Sequence, residues 1–181
     1  MKKENNIMYV ARLALTLLII SAVMAAALAG VNAVTAPIIA GLKAEKTQAA
    51  IELVLPGGGS EVEAPAVDLV SKVYQGENGY AVEVVPVGFD NVITMMVGVD
   101  NEGSVLGISV ISNTETAGLG AVAAANTSAG EAFRAQFVGM SGSVAVSKDG
   151  GEVDAITGAT ITSRAVCAGV NAALDYVANL G

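Results

Sequence analysis

The chain of 181 residues has no histidine, no tryptophan and a single cysteine, Cys167. Without histidine, a His-dependent catalytic triad, haem ligation through imidazole and the usual zinc sites are excluded. One thiol forms no internal disulfide, and there is no CxxC pair for metal or redox work. Cationic residues are also scarce, with nine Lys and Arg against seventeen Asp and Glu. Nucleic acid is therefore excluded as a partner, because phosphate backbones call for Lys and Arg. Chemistry in this chain must come from hydroxyls, carboxylates, backbone groups or an attached cofactor.

What the chain does have is one long apolar run. LALTLLIISAVMAAALAGVNAV, Leu13 to Val34, carries no charge, and about 20 apolar residues suffice to span a bilayer as a helix. Ala27-Leu28-Ala29 has the form of a signal-peptidase site, the competing reading. Against it, the apolar run continues to Pro37-Ile38-Ile39, beyond a signal core of about 7–15 residues. A retained single-pass anchor is expected, and no Cys lies near it to carry a lipid. Lys2, Lys3 and Arg12 precede the span against Glu4 alone. Beyond Val34 there are six basic and sixteen acidic residues, a net of −10. The positive-inside rule then puts the N-terminus in the cytoplasm and the rest on the outer face of the cell membrane. The division expected is 1–38, stub and transmembrane helix, and 39–181, a folded domain.

After the span, a second helix is predicted to end at Leu55, before Pro56 and Gly57-Gly58-Gly59, with a loop over Ser60–Val67. Leu69–Tyr74 and Gly79–Val85 read as strands. Asn91–Asp100 and Ser104–Asn113 read as a hairpin closed by Asn101-Glu102-Gly103. Met95 and Met96 are expected to split between core and solvent. A Gly/Ala-rich loop with a short helical piece follows, then a short helix at Ala132–Phe137 and strands at Val144–Ser147 and Val153–Ile156. Lys148 and Asp149 read as a solvated turn, although a Lys beside a redox group would tune its potential. Val166, Val170, Ala173, Leu174 and Val177 recur at helical spacing and predict a final helix of about four turns. Cys167 in it reads as a buried small hydrophobe. The fold class is α+β, an antiparallel sheet core with flanking helices behind one membrane helix.

DAITGATITSRAV, Asp154 to Val166, sets Thr157, Thr160, Thr162 and Ser163 against the start of that helix. Gly158 permits a left-handed turn. Thr160 or Thr162 is the expected N-cap, since hydroxyls accept from unpaired helix N–H groups. The same free N–H groups make an anion site, and Arg164 would add a cation one turn in. Capping and anion binding leave open which hydroxyl, if any, carries a ligand.

D-x-x-T-G-A-T-x-T-S resembles the covalent flavinylation motif of the extracytoplasmic FMN-binding domain, found in the G subunit of Rnf complexes and the C subunit of sodium-pumping NADH:quinone reductases. The resemblance implies FMN joined by a phosphoester bond to Thr160. It makes Asp154, Thr157, Gly158 and Ala159 recognition residues for an ApbE-like flavin transferase, with Thr157, Gly158 and Ala159 also cofactor-binding. Thr162 and Ser163 become cap or phosphate contacts. NTETAGLG, Asn113 to Gly120, is similar to the family's flavin loop, which implies ring contacts from Glu115, Thr116, Gly118, Leu119 and Gly120. Ala117 and Asn113 depart from the family's Pro and His. Gly79–Gly103 also resembles the family, and its Tyr80 and Phe89 are expected as core aromatics, with Gly88 as a strand kink.

A protein of this kind is expected to transfer electrons through its flavin, without catalytic residues of its own and without a metal. Chain length favours the G-type subunit of a complex coupling ferredoxin:NAD oxidoreduction to sodium or proton translocation. Its partners would be integral-membrane, flavin and iron–sulfur subunits. The alternatives are a C-type quinone-reductase subunit, a free-standing flavinylated shuttle, or a binding module that has lost its flavin.

Overall fold

The computed structural model describes residues 2–63 and 67–180. Residues 64–66 of the loop predicted over Ser60–Val67, and both terminal residues of the chain, lie outside the described residues. Two compact units are distinguished, Met1–Glu45 and Lys46–Gly181.

The first element, α1, spans Lys2–Val54. It passes through Pro37 without a break, where the sequence had suggested a membrane exit and a new helix. From Ile7 it is long and apolar enough to cross a membrane, with a mean hydropathy of 2.4 and no burial in the strongest window. At 1.5 Å per residue the uncharged Leu13–Val34 run is about 33 Å long, matching a hydrocarbon core of about 30 Å. Its leucines, isoleucines and valines are exposed all round, as expected of a lipid-facing surface.

The second unit is built on a five-stranded antiparallel meander: β1 (Ser60–Val62), β2 (Val70–Gln75), β3 (Gly79–Val84), β4 (Thr94–Asp100) and β5 (Val105–Ser112). Register runs through Val73↔Val82, Val82↔Val97 and Val97↔Ile108. β1 forms where a loop was expected, because Ser60–Val62 pairs with Gln75–Val73. Both sheet faces are covered. On one, Val82, Val84, Met95 and Val97 meet Val166, Val170 and Leu174 of α3 (Thr160–Ala178) and Phe133 of α2 (Ser128–Ala135). On the other, Tyr74, Ala81, Met96 and Ile111 meet Ala50, Ile51 and Val54 from the last turns of α1 and Leu55 just after it. Met95 and Met96 are consequently both fully buried, on opposite faces.

The remaining differences have local causes. α2 starts at Ser128, four residues before the predicted start, because Thr127 caps it by accepting from the Gly130 N–H at 3.3 Å. The strands expected at Val144–Ser147 and Val153–Ile156 reduce to one parallel bridge, Val146↔Val153. Asn171 of α3 takes the place of a neighbouring strand: its amide accepts from the Val144 N–H at 2.7 Å and donates to the Val144 carbonyl at 2.9 Å. α3 extends over 19 residues, and the five residues that predicted it are all buried.

Candidate functional site

Four segments converge at the N-terminus of α3: the 86–93 loop, the Asn113–Gly120 loop, a 3-10 turn at Ser147–Asp149, and the 154–163 stretch. The 86–93 loop is a small hairpin, held by the Val87↔Val92 bridge and by N–H···O bonds from Gly88 to Asn91 and from Ile93 to Pro86, both 2.8 Å. Its tip carries Phe89. Phe89 is 68% exposed, not the core aromatic expected, and Tyr80 is only half-buried.

Glu115 joins these segments. Its side chain is 8% exposed. One carboxylate oxygen accepts from the N–H groups of Phe89 (2.9 Å) and Asp90 (3.2 Å); the other accepts from the Thr162 hydroxyl at 2.5 Å. The two ion pairs of the described residues do not involve it, so donors alone compensate its burial. Two glycines leave it room. A Cβ on Gly88 would lie 2.3 Å from one Glu115 oxygen, and a Cβ on Gly120 would lie 2.4 Å from the other and 2.5 Å from the Thr162 hydroxyl. Gly88 is thus no strand kink but a gap for a carboxylate, and Glu115 is a clamp that also faces the pocket.

The start of α3 differs from expectation. Ala159, not a threonine, is the N-cap residue, and no side chain caps the helix. Among the described residues the N–H groups of Thr160, Ile161 and Thr162 have no hydrogen-bond partner; the first helical bond is Ser163 N–H to the Ala159 carbonyl, 3.0 Å. The Ser163 hydroxyl is buried, accepting from Ile156 N–H and donating to the Ala159 carbonyl, each at 3.0 Å. It secures the turn through Gly158, whose φ is 77°, and is withdrawn from any phosphate. Arg164 is withdrawn too: it makes a two-pronged ion pair with Asp149 at 2.6 and 2.7 Å. That guanidinium holds the Asp149 carboxyl below the usual carboxylate range. The cation that does face Thr160 is Lys148, donating to its hydroxyl at 3.2 Å.

These segments enclose a pocket of about 340 Å³, lined by Phe89, Glu115, Thr116, Leu119, Gly120, Lys148 and Gly158 through Thr162. Leu119 and Ile161 are 43% and 49% exposed, so with Phe89 they give the pocket a solvent-facing apolar lining beside Lys148 and the uncapped helix end, to which Ile161 itself belongs. Apolar side chains beside a cation and unpaired N–H groups suit a flat aromatic body with an anionic tail. Asp154 and Thr157 are not in this pocket. They line a separate cleft with Gly118, Phe133 and Gln136. There the Gln136 side-chain amide pairs with the Asp154 backbone at 2.7 and 3.3 Å. Lys148, Phe89 and Ile161 were missed as pocket residues by sequence reasoning. For Lys148 the only signal was its position six residues before Asp154. Cys167 is buried, as expected, and burial pushes its thiol up to about 11.

Comparison with known proteins converges on the same segments. Residues 88–175 match the FMN-binding domain family. The chain is 33% identical to the G subunit of the Na(+)-translocating ferredoxin:NAD(+) oxidoreductase complex of Acetobacterium woodii, over 93% of its own length and 92% of that protein. It is 35% identical to the G subunit of the ion-translocating oxidoreductase complex of Methanosarcina acetivorans, over 93% and 94% of the two chains. The corresponding G subunit of Vibrio cholerae is 40% identical over 52% of this chain and 46% of its own.

Proposed function

The chain belongs to the FMN-binding domain family together with the G subunits of ion-translocating oxidoreductase complexes, and from that premise we propose that it is an electron-transfer subunit carrying FMN esterified to Thr160. The observation that supports this most is the pocket itself: the half-buried Thr160 hydroxyl, beside a lysine and an uncapped helix end, among apolar side chains. FMN, when bound, supplies reversible uptake of electrons, and the polypeptide supplies position and electrostatics. Thr160 is the ester oxygen. The N–H groups of Thr160, Ile161 and Thr162 face the negative charge at the positive end of the α3 dipole. Leu119, Ile161 and Phe89 would supply apolar contact to the ring, and Gly158 would let the backbone approach it. Thr116 borders the pocket at its exposed rim. Glu115 and Thr162 hold the two flavin-side loops to the helix.

In this reading Asp154 and Thr157, open to solvent in their own cleft, are what an ApbE-like flavin transferase recognises, with Gly118 at the same rim. The apolar helix anchors the domain to the outer face of the cell membrane, within a complex of integral-membrane, flavin and iron–sulfur subunits coupling ferredoxin:NAD oxidoreduction to cation movement. The test is expression with and without a flavin transferase. The full chain should run as a fluorescent band after denaturation, and mass spectrometry should place the FMN adduct on the tryptic peptide from Asp149 to Arg164. Thr160→Ala should abolish both signals. A chain that stays dark beside the transferase refutes covalent flavin, and a labelled Thr160→Ala variant refutes the site.

A further inference from the structure

The Lys148 ammonium donates to the Thr160 hydroxyl at 3.2 Å, in a turn that sequence alone marks as solvated. That turn is built with unusual security for a surface loop. N–H groups of Ser147 and Val153 bond across it to the Val153 and Ala145 carbonyls at 2.8 and 3.1 Å. Asp149 and Gly151 N–H groups both converge on the Val146 carbonyl, at 2.8 and 3.1 Å. The next residue after Lys148, Asp149, is latched to Arg164 of α3, four residues beyond Thr160. The backbone on which Lys148 stands is thereby fixed to the helix that carries Thr160. Lys148 itself takes part in neither ion pair of the described residues, so its charge is available to the pocket it lines.

Resting on the reading of Thr160 as the attachment point, we infer that Lys148 is the electrostatic residue of the attachment reaction, and Asp149–Arg164 the latch that positions it. In that reaction Thr160 Oγ1 forms a bond to the phosphorus of a flavin-nucleotide phosphoanhydride. The anhydride P–O bond breaks, a nucleoside monophosphate leaves, and the hydroxyl proton passes to a base of the transferase; no electron is exchanged. Negative charge grows on Oγ1 and on the phosphoryl oxygens as this happens. A cation already within bonding distance of Oγ1 stabilises that charge more than the neutral hydroxyl. In the product it faces the diester.

The experiment uses full-length chain in detergent, purified without flavin, then incubated with purified flavin transferase and flavin adenine dinucleotide. The initial rate of in-gel fluorescence is measured for Lys148→Arg, Lys148→Gln, Lys148→Ala and Lys148→Glu. Loss of the charge should lower kcat about tenfold with KM for the chain unchanged, and Lys148→Glu should be slower still. Lys148→Arg should stay within about threefold of wild type, since it keeps the charge. Asp149→Asn, with Lys148 intact, should fall between. Equal rates across the series, an Arg variant as slow as the Ala variant, or an effect confined to KM each overturn the inference. If wild type labels, Thr160→Ala does not, and the Lys148 series is flat, the attachment reading stands and this inference alone falls. If wild type does not label at all, both fall.

Discussion

Glu115→Ala should destabilise the folded unit by about 3–6 kcal/mol, a value built from what each of its partners faces afterwards. The Thr162 hydroxyl is 1% exposed; without its acceptor it is a buried orphan, at a cost of about 1–3 kcal/mol. The Phe89 and Asp90 N–H groups lie on an exposed hairpin tip, so water replaces their acceptor and each loses only about 0.5–1 kcal/mol. The emptied volume between the loops adds about 1 kcal/mol. Glu115→Gln keeps an acceptor for the two N–H groups and lets the Thr162 hydroxyl accept instead of donate, so about 1–2 kcal/mol is expected. Urea unfolding of the detergent-solubilised chain, followed by the circular dichroism of the buried Tyr74 and Tyr176, reads these values. Amide exchange at Phe89 and Asp90 should accelerate in the Ala variant. A clamp of this kind also requires coupling. Gly120→Ala pushes a Cβ to 2.4 Å from the carboxylate and should cost less in the Glu115→Ala background than in wild type. A Glu115→Ala variant within about 1 kcal/mol of wild type, or an additive cycle, would refute the clamp.

Gly98→Ala should destabilise by at least about 2 kcal/mol, because the new Cβ would lie 2.1 Å from the Val54 carbonyl and force the end of α1 off the sheet; the same unfolding assay reads it. Cys167, buried with its thiol near 11, should resist iodoacetamide at pH 8 in the folded chain and react once urea unfolds it. The Asp149 carboxyl should titrate below the ordinary aspartate range by carboxyl NMR and return to it in Arg164→Gln. Its folded pKa being lowered, the latch stabilises above the ordinary range and is lost as pH falls through the lowered value.

The strands and the last helix were legible because their side chains obey simple periods: Val73, Val82, Val97 and Val99 on the pleat, Val166, Val170 and Leu174 on the helix. Turn chemistry also showed at Asn101-Glu102-Gly103, where the Asp100 carboxylate accepts from Glu102 and Ser104 N–H groups at 2.9 and 2.8 Å. β1 was not legible, since three residues carry too little pattern and its order comes from pairing with β2. Nor was the loss of the strand expected at Val144–Ser147, where the Asn171 side chain takes the place of a backbone neighbour. At the site, the resemblance pointed to Thr160 and to the Asn113–Gly120 loop, and Thr160, Glu115, Thr116, Leu119 and Gly120 line one pocket. Lys148, Phe89 and Ile161 join the pocket only through tertiary contact, and Phe89 was misassigned because aromatics are usually core. Glu115 was named as a ring contact, whereas its buried bonds give it a structural task as well.

The fold also ranks the four hydroxyls of the 154–166 stretch on grounds separate from the resemblance. Ser163 is committed to Ile156 and Ala159, and Thr162 to Glu115; both are buried and neither is free to bear a substituent. Thr157 and Thr160 remain. Gly158, with its left-handed φ, turns the chain between them, and a Cβ there would sit 3.0 Å from the Leu119 side chain. Leu119 therefore stands as a wedge where the chain reverses: Thr157 and Asp154 open onto one cleft, Thr160 onto the other. Only Thr160 has a cation at its oxygen and unpaired helix N–H groups at its back. A single short motif can then serve two surfaces at once. Asp154 and Thr157 stay clear of the pocket that Thr160 lines, while Gly158 and Ala159 of the same motif line it with Thr160.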